Sequence, residues 1–281
     1  MRNERCALDA APALGGAMLS FAIDGADVLR RADANAVGED PLNAACYPCV
    51  PYFGRLPNGI DVDGARTALA ATHPAIGAIH GDGWISPWDA AERTDERLVC
   101  RLAYAPGAPG RWPFAFEATL SFQLIAAGVD IVLSLTNTDR RPAPAGLALH
   151  PFFPRRDASR VAFSAGGFWA PPLDGRAGAT APRPDDMGGG ALATLPDATR
   201  DDTYTGLASD IVVAGGGPFG DLSLVTDAPH LHVYAPAGEA FFCLEPTTHP
   251  PGLLENEARL TPGATRRVSM KLAAGYAQRP A

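Results

Sequence analysis

The chain has 281 residues, a formal net charge of -8 and a sequence pI near 5.2. This acidic balance argues against a nucleic-acid partner, because contacts to a phosphate backbone depend on Lys and Arg. No run of about 18 or more apolar residues is present, so the sequence predicts no membrane span. The first residues lack the apolar core of a signal peptide, and we therefore expect a cytoplasmic protein.

The composition indicates many short strands rather than long helices. The chain contains 30 glycines and 27 prolines, together about a fifth of it, against a usual share of about 12%. Both residue types interrupt helices and favour turns. All-β chains of this length commonly form one domain, so we predict a single all-β domain over residues 1–281.

Strand patterns follow one another along the chain. Residues 15–30 contain two apolar segments around an Asp-Gly turn, which predicts a β-hairpin. Alternation of apolar and polar residues predicts long antiparallel strands over 97–104, 114–124 and 129–137. Residues 165–192 lack periodicity and are interpreted as a loop. Shorter strands are expected at 211–213, 222–225, 231–234, 240–244 and 266–272.

The segment from Cys46 to Ile60 is rich in proline and aromatic residues. Cys46 and Cys49 have the spacing of a redox motif, but no strand–helix–strand pattern surrounds them. The total of 5 cysteines, an odd number, does not describe a disulfide framework. Arg55 is the only charged side chain of the segment, and its guanidinium either reaches water or binds a polyhydroxy or anionic ligand.

A glycine-rich loop at residues 78–89 carries His80, Asp82, Trp84 and Trp88. Indole rings beside hydrogen-bonding side chains are suited to sugars, because the C–H faces of a sugar ring are apolar and its edges carry hydroxyls. Aromatic side chains in loops are also common as parts of a core. Both interpretations stay open at this point.

Two short apolar segments end in a polar side chain followed by proline. His150 precedes Pro151, and Glu245 precedes Pro246. Proline keeps the residue before it in an extended conformation, so we expect each side chain at the rigid end of a strand. Either residue alone is more typical of a strand end that faces water. Together, a rigidly held imidazole and carboxylate are suited to general acid–base chemistry.

Two further pairs of polar residues have weaker patterns. Residues 197–206 contain Asp201 and Asp202, which are solvated loop acids in the simplest interpretation. His230 and His232 have a spacing that would place both imidazoles on one face of a strand, as metal sites can use. No Cys or carboxylate completes such a site by its spacing, and we predict neither a metal nor a cofactor.

Five short motifs occur in a fixed order: Phe53-Gly-Arg55-Leu-Pro-Asn58-Gly59, His80-Gly81, Leu149-His150-Pro-Phe-Phe153, Asp201-Asp-Thr-Tyr204 and Leu244-Glu245-Pro246. In this order and with similar separations they resemble the signatures of the aldose 1-epimerases, also called galactose mutarotases. The resemblance extends from about residue 15 to residue 272. It departs from the family at Gly54, where an Asn is common, and at Asp202, where many members carry a His.

The resemblance implies a large antiparallel β-sandwich of the galactose mutarotase type, with few short helices and a sugar cleft on one sheet face. Glu245 would be the general base that removes the anomeric proton, and His150 the general acid that protonates the ring oxygen. Activity would then fall at low pH through Glu245 and at high pH through His150. The residues that would bind the sugar are Arg55, His80 and Asp201, to which we add Trp84 or Trp88 as an apolar wall.

The sequence leaves several alternatives open. We predict an isomerase that interconverts the α and β anomers of a free hexose without a cofactor, as a monomer or homodimer with a small-molecule sugar as partner. Arg155 and Arg156 leave open a hexose 6-phosphate as the substrate. A sugar-binding module without turnover is a second alternative, and a glycosidase, which needs two carboxylates about 5–9.5 Å apart, is a third.

Overall fold

A computed structural model describes residues 1–170, 179–215, 217–252, 254 and 259–275. In these residues, helices are few and short: one α-helix, α1 (Ala34–Glu39), and two 3-10 segments, Pro41–Asn43 and Gly83–Ile85. The strands are β1 (Cys6–Ala11), β2 (Ala17–Ile23), β3 (Ala26–Leu29), β4 (Cys46–Cys49), β5 (Ile60–Val62), β6 (Ala65–Thr67), β7 (Asp89–Arg93), β8 (Arg97–Tyr104), β9 (Phe116–Ile125), β10 (Gly128–Asn137), β11 (Ala148–Pro154), β12 (Arg160–Ala162), β13 (Ala165–Ala170), β14 (Ala179–Ala181), β15 (Ala193–Thr194), β16 (Arg200–Leu207), β17 (Ile211–Ala214), β18 (Leu222–Thr226), β19 (His230–Ala235), β20 (Phe241–Thr247) and β21 (Thr265–Ala274).

Within the described residues, the strands form two large antiparallel sheets and one small ribbon. The first sheet has ten strands, in the order β1-β2-β4-β11-β20-β19-β16-β13-β14, with β3 paired to β2. The second sheet has nine strands, in the order β15-β12-β17-β18-β21-β10-β9-β8-β7. The ribbon consists of β5 and β6. The predicted all-β class and the predominance of antiparallel strands are thus confirmed.

The second sheet is built from long strands with regular alternation. β9 pairs with β10 along its whole length, and β10 pairs in turn with β21. Such alternation buries one face of a strand in the core and leaves the other face outside it. The buried side chains of β9 are Phe116, Ala118, Leu120, Phe122 and Leu124.

The first sheet has buried side chains on both faces. One face packs against the second sheet in a shared core, to which the first sheet contributes Leu149, Phe153, Leu231 and Leu244. Residues that alternate with these along the strands belong to a second, smaller cluster, which α1 and the loops near Phe53 and Trp84 cover. Further members of this cluster are Tyr47, Cys49, Ala148, Phe152 and Cys243.

The structure corrects the expectation that His150 and Glu245 stand at strand ends. β11 and β20 each continue past these residues. The backbone pairing between the two strands is interrupted at this level instead. Pro151 and Pro246 have no N–H to donate here, which accounts for the gap. Both side chains therefore lie in the middle of the first sheet.

Other sequence predictions had mixed outcomes. Residues 15–30 form the predicted hairpin of β2 and β3, with the Asp-Gly turn in the left-handed region at φ values of 50° and 78°. The loop predicted at 165–192 is wrong in part, because β13 and β14 pair there, while its residues 171–178 lie outside the described residues. The loop predicted at 197–206 is wrong from residue 200 onward, where β16 begins. In the described part of the chain, no helix is long and apolar enough to cross a membrane.

Candidate active site

A row of polar side chains crosses the first sheet at one level. Its members occupy paired positions on neighbouring strands, which places their side chains on the same face. Tyr47 is paired with His150, while His232 is paired with Glu245 on one side and with Thr203 on the other. The gap between β11 and β20 falls between His150 and Glu245. We call these five residues the polar row.

His150 and Glu245 form the centre of the polar row. His150 Nε2 lies 3.3 Å from Glu245 Oε1, and the two residues are only 6% and 1% exposed. The contact lacks hydrogen-bond geometry, so among the described residues Glu245 Oε1 and His150 Nδ1 are buried without a hydrogen-bond partner. Leaving such atoms unpaired costs free energy. The pair therefore offers an unused acceptor and an imidazole to a bound hydroxyl.

Burial favours the neutral form of both members of the pair. It raises the pKa of Glu245 to about 8 and lowers the pKa of His150 well below its usual value, because each charged form loses hydration. The nearby imidazoles of His80 and His232 lower the pKa of His150 further, whereas His232 acts to lower the pKa of Glu245. These directions are opposite to the assignment of the two pH limbs expected from the sequence. Titration at this contact belongs to the pair rather than to either residue.

His80 packs beside the pair and is held by the backbone. Its ring centroid lies 5.4 Å from that of His150. His80 Nδ1 accepts a hydrogen bond from the backbone N–H of Gly54 at 3.3 Å, so the proton of the neutral ring is on Nε2. Burial lowers the pKa of His80 to about 3, which keeps the ring neutral. The residue has a φ of 57°, a conformation that costs free energy in a non-glycine residue and is concentrated at functional sites.

Close packing fixes the loop that leads to Arg55. Gly54 has a φ of 72°, and a Cβ there would lie 2.7 Å from the Cβ of Pro251. The asparagine that is common in the family at this position would therefore clash in this chain. His249, which the sequence left without a role, accepts a hydrogen bond from the N–H of Phe53 through Nε2 at 3.2 Å. It is a buried support for the loop.

Asp201 lies at the rim of the polar row and contacts it through His232. Asp201 Oδ1 is 3.1 Å from His232 Nε2, and Thr203 Oγ1 is 2.8 Å from His232 Nδ1. The Asp201 side chain is 45% exposed, against 7% for His232. Although burial acts to lower it, the carboxylates of Glu245 and Asp201 raise the pKa of His232. Although burial acts to raise it, the hydrogen bond with His232 lowers the pKa of Asp201.

Asp202 points to the opposite face of β16, as adjacent residues of a strand do. Its Oδ2 is 3.1 Å from a guanidinium nitrogen of Arg200. Arg200 also pairs with Asp186 and donates to the hydroxyl of Tyr204 at 2.7 Å. The structure thus places Asp201, and not Asp202, beside the polar row.

Arg55 borders an open cavity next to the His80 loop. Its side chain is exposed, and its backbone pairs with Ile79 in an isolated bridge. Its charge contributes to lowering the pKa values of His80 and Asp201, which is consistent with a guanidinium near both. The cavity has a volume of about 330 Å³, within the range of small-molecule sites. It is lined by Arg55, Pro57, Leu69, Ala71, Ile76, Gly77 and Ala78.

The two tryptophans of the glycine-rich loop are buried, so neither forms the exposed apolar wall that we expected. Trp84 is 1% exposed, and its indole lies behind the site, 5.2 Å from the ring of Tyr47 and 5.4 Å from that of His80. Trp88 belongs to the core between the sheets, where its indole N–H donates to the carbonyl of Gly83 at 2.9 Å. Trp84 therefore supports two site residues, and Trp88 is a core residue.

Other candidates from the sequence have structural roles. Asp82 accepts hydrogen bonds from a tyrosine hydroxyl, an arginine and a backbone N–H. Arg155 donates to backbone carbonyls of neighbouring loops, and Arg156 donates to the carbonyl of Asp27 in β3. Cys46 and Cys49 are buried free thiols that belong to the clusters on opposite faces of the first sheet.

In the described part of the chain, one group of three metal-ligating side chains is found: His150, Cys243 and Glu245, with ligand atoms within 4.8 Å of one another. Burial raises the pKa of the Cys243 thiol well above its usual value, so this group is protonated. His230 and His232 do not contribute to the cluster. A metal ion bound here would occupy the two groups that acid–base chemistry needs.

Known proteins share both sequence and fold with this chain. A family model described as Aldose 1-epimerase matches residues 1–174, more than half of the 281 residues. The chain belongs to the aldose 1-epimerase family. The uncharacterized protein YphB of Escherichia coli strain K12 is 25% identical over 249 residues, which are 84% of this chain and 83% of YphB.

Solved structures extend the likeness of this aldose 1-epimerase family member to nearly its whole length. A putative aldose 1-epimerase from Escherichia coli K12 has a TM-score of 0.86 at 23% identity and covers 99% of this chain and 98% of its own. A galactose mutarotase-like protein from Lactobacillus casei ATCC 334 has a TM-score of 0.77 at 16% identity, with coverages of 98% and 99%. These structures confirm the galactose mutarotase-like β-sandwich.

Three members of the polar row, Tyr47, Thr203 and His232, are absent from the site predicted for this epimerase-family chain. A signal for His232 was present, because β19 and β20 are joined by a short connection that contains Gly238. Pairing the two strands as a hairpin brings His232 opposite Glu245. The spacing of His230 and His232 by itself indicates only a metal motif and not this pairing. Tyr47 had no comparable signal, since its partner strand β11 is about 100 residues away in sequence.

Proposed function

We propose that this protein interconverts the α and β anomers of a free hexose by acid–base opening and closing of the sugar ring. The observation that supports this most directly is the 3.3 Å contact between His150 Nε2 and Glu245 Oε1 in the middle of the sheet. The anomeric hydroxyl and the ring oxygen of an aldose are attached to one carbon. An acid and a base this close together can therefore reach both oxygens of the same sugar.

The reaction transfers two protons in each direction. The carboxylate of Glu245 takes the proton of the anomeric hydroxyl, the bond between C1 and the ring oxygen breaks, and protonated His150 gives its proton to that oxygen. The free aldehyde then rotates about the bond between C1 and C2. Ring closure on the other face of the carbonyl returns the proton of the attacking hydroxyl to His150, while Glu245 gives its proton to the aldehyde oxygen, which regenerates the starting state.

Burial of the pair is matched to this cycle. With the closed sugar, Glu245 must be ionised and His150 protonated, whereas with the open aldehyde both are neutral. The desolvated site favours neutral groups. It therefore stabilises the protonation state that accompanies the aldehyde, relative to the ion pair that accompanies the closed ring. The two states contain the same number of protons, so no exchange with solvent is needed during one turnover.

The remaining polar groups are placed to orient the sugar. Asp201 supplies an exposed carboxylate at the rim of the row, and Arg55 supplies a guanidinium beside the cavity. His80, with its proton on Nε2, supplies a neutral donor next to the pair. Hydrogen bonds from such groups to sugar hydroxyls bring the anomeric centre to the acid and the base, which is a large part of what a catalytic site contributes.

Two alternatives receive less support from the geometry. A 6-phosphorylated hexose would require a free cationic group, yet Arg155 and Arg156 already donate to backbone carbonyls. A glycosidase needs two carboxylates across the scissile bond, whereas the second carboxylate near Glu245, that of Asp201, is already in contact with His232 at 3.1 Å. Arg55 remains as the one candidate for a phosphate among the proposed sugar-binding residues.

The test is mutarotation of pure α-anomers, followed by polarimetry for a panel of free and 6-phosphorylated hexoses without any added cofactor. We expect faster equilibration of at least one free hexose, equally with and without a chelator. Binding of sugars without acceleration of any of them would contradict the proposal and would favour a binding module. Activity that a chelator abolishes and zinc restores would also contradict it.

A further inference from the structure

His232 is the member of the polar row that has a carboxylate on each of its two neighbouring strands. It is directly opposite Glu245 on the neighbouring strand, and its Nε2 contacts Asp201 Oδ1 at 3.1 Å. Its Nδ1 lies 2.8 Å from the hydroxyl of Thr203, which can accept a hydrogen bond as well as donate one. Both ring nitrogens thus have a partner that can accept a hydrogen bond from an N–H. This is the environment of a doubly protonated imidazole.

The charged groups around His232 are mainly negative. The strand β16 presents Asp201 and, from its other face, Asp202, while β20 presents Glu245. The imidazoles of His80 and His150 also lie near it, and burial keeps both of them neutral. Two carboxyl groups on its own face of the sheet, and the more distant one of Asp202, therefore favour the charged form of His232. Arg55 acts on Asp201 and His80.

We propose that His232 is a charged positioning residue, which favours the proton-accepting form of the Glu245 carboxyl group on one neighbouring strand and contacts the sugar-binding carboxylate of Asp201 on the other. This inference rests on the proposed function, because it assigns a task to His232 in that reaction. Without a second neighbouring cation, an ionised Glu245 in this buried position would have only protonated His150, 3.3 Å away, to offset its lost hydration. With it, the ionised form is accessible when a closed sugar arrives.

The proposal has a consequence for the pH dependence. The pair of His150 and Glu245 is active when it holds one proton in total. With two protons Glu245 cannot act as the base, and with no proton His150 cannot act as the acid. The plot of kcat/KM against pH is then a bell whose limbs belong to the pair. Removing a nearby positive charge makes both protons harder to lose. Both limbs should therefore move to higher pH.

The experiment compares His232→Gln with His230→Gln. Glutamine keeps a side chain that can hydrogen-bond to Thr203 and Asp201 but cannot become charged. His230 is the matched control, because it lies two residues away on the same strand and face, and burial lowers its pKa, so that its loss removes no charge. For His232→Gln we expect both limbs to rise by about one pH unit or more, with about a tenfold loss of kcat/KM on the acid limb. His230→Gln should leave both limbs in place.

A purely structural role for His232 predicts a different result. Activity would fall by the same factor at every pH, without movement of the limbs, and that outcome would overturn the proposal. If His232→Gln fails to fold, NMR titration of the wild-type imidazoles decides: His232 should lose its charge at a higher pH than a free imidazole does, and loss of charge at the same or a lower pH would contradict the inference. Because the titration needs no turnover, it tests His232 even if wild-type protein proves inactive in mutarotation and the proposed function fails.

Discussion

The two sheets of the sandwich differ in how regular they are. The second sheet has long strands paired without a break from β8 through β9 to β10, and its buried side chains alternate with outward ones. The first sheet contains Pro48, Pro151 and Pro246 within its central strands, and its ladder is interrupted where His150 faces Glu245. Prolines are normally confined to sheet edges, because they cannot donate to a ladder. The site thus lies where regular sheet structure is broken.

This difference indicates that the second sheet mainly stabilises the fold, whereas the first sheet carries the candidate site. The second sheet buries an alternating face with no polar row, whereas the first sheet holds a carboxylate and three imidazoles at its centre or above it. Buried titratable groups with unpaired atoms destabilise a fold. The apolar contacts of the shared core offset that cost. Variants in the two sheets should therefore affect different measurements.

The largest effect on activity is expected from the pair in the first sheet. Each general acid or base typically contributes about 10² to 10⁴-fold, so Glu245→Gln and His150→Asn should each raise the barrier by about 3 to 5 kcal/mol. Their circular dichroism spectra should match that of the wild type. Glu239→Gln, the same change at an exposed position, is the control and should retain full activity. A His150→Asn variant within threefold of wild type would transfer the acid role to His80.

In the second sheet, we expect a substitution in the core to lower stability and to leave activity unchanged. Leu133 is fully buried in β10, so Leu133→Ala should leave a cavity and lower the free energy of unfolding by about 2 to 5 kcal/mol. At temperatures where the variant is folded, kcat/KM should be unchanged. Ser134→Ala, on the opposite face of the same strand, should alter stability little. Urea unfolding with parallel polarimetry measures both quantities, and a large loss of kcat/KM in folded Leu133→Ala would show that the sheets are not separable.

The smallest effects distinguish the two faces of β16. Asp201→Asn removes a charged hydrogen-bond acceptor at the rim, and we expect a loss of about 1.5 to 3 kcal/mol in kcat/KM, shared between weaker binding and slower turnover. Asp202→Asn removes mainly the ion pair with Arg200 on the opposite face of β16, so kinetics should stay close to the wild-type level. Steady-state kinetics on any hexose that is a substrate provides the comparison. Equal effects of the two substitutions on kcat/KM would mean that Asp201 does not bind the sugar.

The regular part of the fold was readable from the sequence because its signals are local. Alternation along 97–104, 114–124 and 129–137 predicted β8, β9 and β10 to within two residues. Period-two patterns report which face of a strand is buried without any knowledge of its partner. Where the pattern was absent, as at residues 165–192, the prediction failed. There the pairing of β13 with β16 supplies the strand, and the sequence does not show it.

The site was predicted only as separate residues. The resemblance of short motifs named His150, Glu245, His80, Arg55 and Asp201, of which the structure gathers the first three and Asp201 around His232. Their relative positions depend on strand pairs that are distant in sequence. The protonation states of His150 and Glu245 could not be predicted from the sequence either. Burial sets the direction of their pKa shifts, and burial cannot be read from residue types. The sequence alone did not distinguish Asp201 from Asp202 as the sugar-binding residue, because their faces of β16 were not known.

The alignment of the polar row makes the protein far more sensitive to changes in length than to changes in side chain. Five strands must keep their registers for the five residues to meet on one level. Inserting one residue early in β19 would turn His232 to the inter-sheet face and bring an aliphatic neighbour into the row. A point substitution removes one group, whereas such an insertion also places a hydrophobic side chain beside Glu245. Insertions and deletions compatible with activity should therefore be confined to the connections between these strands.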